Sequence, residues 1–117
     1  MSRVNFVIET LQSKGEVSFK PHGNSMTPKI NSGDLVKVKF VLPNVYRVGD
    51  IVYCKVKGSY LLHLISAIDK GRFVISNNHG HINGTVSDSA MFGLCIEVCG
   101  APIISAEELH KRFLENK

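Results

Sequence analysis

From Asp34 onward the chain repeatedly alternates apolar and polar residues with period two, and glycine turns set the runs apart. Asp34-Leu35-Val36-Lys37-Val38-Lys39-Phe40-Val41 puts Val36, Val38 and Phe40 on one side and Lys37 and Lys39 on the other. A helix cannot sort those side chains; a strand with one wet face can. Gly49-Asp50 introduces Ile51–Val56 as a second such run, and Lys57-Gly58-Ser59 reads as a hairpin turn. Tyr60–Ile68 is a long apolar strand with His63 in its middle, turned back at Asp69-Lys70-Gly71 into Arg72–Ser76. Met91–Val98 is a further core strand, with Gly93 marking a bulge or a close backbone approach. Val17 and Phe19 make a short strand ahead of Pro21-His22-Gly23, while Asn77–Gly84 reads as a polar loop.

The period changes to helical at both ends. Val4, Val7, Ile8 and Leu11 form one apolar stripe ended by Gly15. Ser105-Ala106-Glu107-Glu108 has the pattern of a capping box, followed by the pair Leu109 and Phe113. The chain therefore reads as one mainly β domain of several short antiparallel strands. Residues 1–15 form an amphipathic helix, 16–100 a β core and 103–117 a C-terminal helix.

With 117 residues and 44% hydrophobic content the chain holds one core without staples. The net charge of +4 comes from scattered residues such as Lys37, Arg47, Lys55 and Arg72, so no run tracks a phosphate backbone. Nucleic acid is not an expected partner; a homodimer is compatible with the sequence. Cys54, Cys95 and Cys99 include no Cys-x-x-Cys pair, as expected of reduced cysteines in a cytoplasmic protein. No signal peptide opens the chain, and no run approaches the ~20 apolar residues of a membrane span.

Two residues carry candidate chemistry. Ser25 lies in Gly23-Asn24-Ser25-Met26-Thr27-Pro28, where Gly23 lets a substrate come close to the backbone and Pro28 restricts the far side. A serine there either caps a turn or, given a base, attacks a carbonyl. His63 sits among apolar neighbours, either as a core histidine or as a neutral general base. His79 and His81 share a face at i, i+2, but no third ligand accompanies them, so a solvated loop without metal is expected. Nothing calls for a cofactor.

The ordered set Gly-x-Ser-Met-x-Pro at 23–28, Gly-Asp-Leu-Val-Lys-Val at 33–38, Gly-Asp-Ile-Val at 49–52 and His-Leu-Ile at 63–65 resembles the LexA/signal-peptidase superfamily of serine peptidases. The resemblance runs from about Phe19 to Val98. It implies a β-ribbon fold, Ser25 as nucleophile, and His63 at the position of the usual catalytic lysine. It also implies an oxyanion and substrate site at Asn24 and Met26, with Asn77 and Asn78 where an orienting acid is often found. A protein or peptide substrate would bind as an added strand. Two functions follow as expectations: a soluble serine endopeptidase with a Ser25/His63 dyad, or a weakly active relative serving as a regulatory binding or dimerisation module.

Overall fold

The computed structural model describes residues 3–115. Helix α1, Arg3–Lys14, buries Val7 and Leu11 and half-buries Val4 and Ile8, so the apolar stripe is its inward face. Gly15 ends it at φ 80°, its N–H donating to the Leu11 carbonyl at 3.0 Å. Strands β1 (Glu16–Phe19), β2 (Val36–Lys39), β3 (Ile51–Val56), β4 (Ser59–Asp69), β5 (Arg72–Ser76), β6 (Ile82–Val86), β7 (Met91–Val98) and β8 (Ala101–Pro102) form one antiparallel sheet. Its order is β1-β2-β7-β3-β4-β5-β6, with β8 beside β7. Helix α2 spans Ala106–Glu115.

Strand β3 is the hinge of the packing. Ile51 and Tyr53 point into a core made with α1, β1 and β2, whereas Val52, Cys54 and Val56 point into a second core with Tyr46, Ile65, Phe73 and Ile75. A strand buried on both faces reads as a continuous apolar run, which is why Ile-Val-Tyr-Cys shows no alternation. The second core exists because the sheet curls until β6 faces the β3–β4 hairpin. Gly84 makes that approach feasible: a Cβ there would lie 2.9 Å from Val56 Cγ1.

Four local expectations change. Phe40 is not the third inward residue of β2; it is 52% exposed. The strand stops at Lys39, and the Phe40 N–H turns aside to the Gly15 carbonyl at 2.8 Å. The loop expected to reach Gly84 contains β6, an edge strand whose Ile82 is exposed and whose Asn83-Gly84 breaks the apolar pattern. The C-terminal helix starts at Ala106 rather than at residue 103, because the Ile103 N–H bonds Ile96 and keeps that stretch on the sheet. Ser105 does cap α2, accepting the Glu108 N–H at 3.0 Å, but the Glu108 carboxylate turns to Arg112 instead of completing the box. Arg112 crosses to the buried Asp50 carboxylate at 2.7 Å and so docks α2 onto the turn before β3.

Gly93 lies at a register irregularity between β3 and β7, and a Cβ there would meet Val38 Cγ1 at 2.5 Å and the Lys39 carbonyl oxygen at 3.1 Å. Overpacking of that kind costs about 1–3 kcal/mol. Gly93→Ala should lower the urea midpoint by the corresponding amount with an unchanged m-value.

Candidate active site

The two Gly-Asp turns are built alike. Gly33 and Gly49 both take positive φ, 86° and 95°. In each, the aspartate carboxylate accepts a backbone N–H three residues earlier: Asn31 to Asp34 at 2.8 Å and Arg47 to Asp50 at 2.7 Å. The first turn closes the excursion that carries Ser25. The Gly33 N–H bonds the Pro21 carbonyl at 2.8 Å, Ser32 Oγ accepts the Gly23 N–H, and buried Met26 and Ile30 pin the segment to the core. The second turn sets the start of β3 against β4, with Asp50 and Ile65 bonded at 2.9 Å and Gly49 and Ile65 at 2.8 Å. In that register His63 pairs with Val52.

These two constraints bring Ser25 and His63 together. Ser25 Oγ lies 2.9 Å from His63 Nε2. The other ring nitrogen, Nδ1, lies 2.7 Å from Asn83 Oδ1. A carbonyl oxygen only accepts, so Nδ1 carries the proton and Nε2 is left to accept from the serine hydroxyl. Burial pushes the His63 pKa below the ordinary 6.5; the Asn83 bond partly opposes this, and nearby His81 adds to it. The ring is thus neutral at physiological pH, as a general base must be.

Asn77 and Asn78 do not reach the imidazole. Asn77 Oδ1 accepts the N–H groups of His79 and His81, at 2.8 and 3.0 Å, and its carboxamide is spent within its own turn. Asn78 instead grips the serine segment, its N–H on the Ser25 carbonyl and its Nδ2 on the Thr27 carbonyl, each at 2.9 Å. His79 joins it: Nε2 lies 3.0 Å from the Asn24 carbonyl and 3.2 Å from Thr27 Oγ1. Among the described residues no three His, Cys, Asp or Glu side chains form a metal-sized group. Residues 77–79 clasp residues 24–27. Of this arrangement, Asn83 and the clasp were missed by sequence reasoning, and their signal was weak: a lone asparagine in a short Ile-Asn-Gly-Thr-Val run.

Asn24 and Met26 flank the serine as the motif suggests. The Asn24 carbonyl is held by Thr27 and His79, and the Met26 side chain is buried. Among the described residues no backbone carbonyl accepts the Ser25 or Met26 N–H. Beside the pair opens a cavity of about 230 Å³ whose apolar walls include Val4, Phe19, Ile30, Tyr53, Tyr60 and Leu62. Tyr53 packs edge-on to Phe19 and stacks on Tyr60, which stiffens one wall. The buried cysteines offer no competing nucleophile, since burial pushes the Cys54 and Cys95 thiols up to about 12.

A family model described as peptidase S24-like matches residues 4–96. The chain belongs to the peptidase S24-like family. The match runs from α1 into β7 and includes Ser25, His63 and Asn83. It agrees with the LexA/signal-peptidase resemblance of the motifs and with the mainly β sheet flanked by a helix near each terminus. A comparison with curated proteins gave no match. Among the described residues of this S24-like chain no helix is long and apolar enough to cross a membrane.

Proposed function

We propose that the chain is a serine endopeptidase in which Ser25 is the nucleophile and His63 the general base and acid. The observation that carries this reading is the continuous set of short contacts Ser25 Oγ to His63 Nε2 at 2.9 Å and His63 Nδ1 to Asn83 Oδ1 at 2.7 Å. Ser25 Oγ attacks the peptide carbonyl as its proton passes to Nε2. The Ser25 and Met26 N–H groups receive the oxyanion. Collapse expels the amine, which takes the Nε2 proton, and leaves an ester on Ser25; water activated by His63 then releases the acid. The substrate lies as an added strand beside β4, with one apolar side chain in the 230 Å³ cavity.

The second reading, a weakly active regulatory binding domain, draws on one feature: the group behind His63 is a neutral amide, which supplies no countercharge to an imidazolium. A fluorophosphonate separates the two, because phosphorus is attacked only by an activated serine. Stoichiometric labelling at Ser25, found by peptide mass mapping and lost in His63→Ala, is the expected result. An unlabelled Ser25 in the folded chain supports the binding domain.

A further inference from the structure

The register of β4 leaves half of one edge open. Ser59–Leu64 pairs with β3, but β5 pairs with β4 only from Leu64 onward, so Ser59–His63 has no strand on its other side among the described residues. Successive side chains of a strand laid on that edge point to opposite faces. One face carries Tyr60 and Leu62, which with Phe19, Ile30 and Tyr53 make the apolar wall of the cavity beside Ser25; Leu61 and His63 also line that cavity. The other carries Ser59, Leu61 and His63, and it has a cavity of its own.

This second cavity, about 340 Å³, lies between the β3–β4 hairpin tip and β6. Lys57, Ser59, His81 and Asn83 supply its polar walls, with Leu61 and Val56 between them, and no carboxylate lines it. Lys57 is held at the hairpin tip at φ 49°, and neither Lys57 nor His81 forms an ion pair among the described residues. A cavity with that apolar wall and an acid-free one beside Lys57 suit different side chains.

We propose that the Lys57/His81 cavity is a second specificity subsite, which selects an aspartate or glutamate next to the apolar residue held beside Ser25. The proposal rests on the peptidase reading for the position of the substrate strand, but its test does not depend on turnover. A carboxylate placed there gains a partly exposed ion pair with Lys57, a discrimination of about fivefold that salt weakens.

The test is binding of fluorescent decapeptides to the Ser25→Ala chain, measured by anisotropy. The peptides carry one central leucine and Asp, Asn or Lys on either side of it. Tighter binding of the Asp peptide, by about fivefold over Asn and more over Lys, is expected at low salt, narrowing at 0.5 M. Lys57→Gln should erase the preference, and Lys57→Glu should invert it. Equal affinities, or a preference for Asp that survives both substitutions, overturn the proposal. The peptidase reading stands or falls separately on phosphonate labelling of Ser25, so a chain that prefers acidic peptides yet resists labelling keeps the subsite and loses the enzyme.

Discussion

Replacing Ser25 by alanine should lower kcat/KM for any cleaved peptide by roughly 10⁴ to 10⁶, and His63→Ala should cost about as much. The double variant should be no worse than either single one, because two groups that share one proton transfer act as a unit. Ser25→Ala should still fold: among the described residues the Ser25 hydroxyl has one hydrogen bond, to His63, beside an open cavity, so its loss costs about 1 kcal/mol. Activity should also report the imidazole directly. Since burial holds the His63 pKa below 6.5, the neutral base persists into mildly acidic solution, and the acid limb of kcat/KM should fall below pH 6.5. Stability follows the same sign. A histidine that resists protonation when folded contributes in full above 6.5, and that contribution is lost as the pH falls through its folded pKa. Peptide assays and urea titrations between pH 5 and 8 check both statements. A residual rate unchanged by Ser25→Ala would exclude Ser25 as the nucleophile.

What the sequence reveals of this fold depends on burial. Val36 and Val38 alternate with lysines because β2 has one wet face, and β3 is continuously apolar from Ile51 to Cys54 because both its faces are buried there. Strand β6 lies at the sheet edge with Ile82 exposed and Asn83-Gly84 at its centre, so no buried face imposes a pattern that could be read. The same holds within the site. Ser25 and His63 stand out because a family motif fixes both, and the Gly-Asp turns that carry them are local. Asn83 becomes the partner of His63 only through the curl that sets β6 over the β3–β4 hairpin. That curl depends on the missing Cβ of Gly84 against Val56 and on the register shift between Ile75 and Ser76. Asn77 and Asn78 stand nearer to the expected position in sequence but are committed to the clasp. Arg112 is illegible for a related reason. Its neighbours Leu109 and Phe113 mark an apolar face, yet Phe113 is 56% exposed and the arginine makes the buried contact, because its partner Asp50 lies 62 residues away.

Asn83 gives the second large effect, and its sign depends on the replacement. Asn83→Leu fills similar space but removes the acceptor for Nδ1–H. The ring then loses the bond that keeps Nε2 free to accept from Ser25, and kcat/KM should fall by about 10² to 10⁴. Asn83→Asp keeps the acceptor and adds a charge that stabilises the imidazolium formed as Ser25 attacks, so kcat/KM should rise about tenfold above neutral pH. The pH profile distinguishes this from a merely structural role. The Asn83 bond already raises the His63 pKa against burial; removing it in Asn83→Leu should move the acid limb down. A carboxylate 2.7 Å from Nδ1 should move it up, because a nearby opposite charge favours the protonated ring. Opposite displacements of the acid limb in the two variants mark Asn83 as the residue that positions the base. Two variants that lose stability alike and leave the limb where it was would reduce Asn83 to a packing residue of β6.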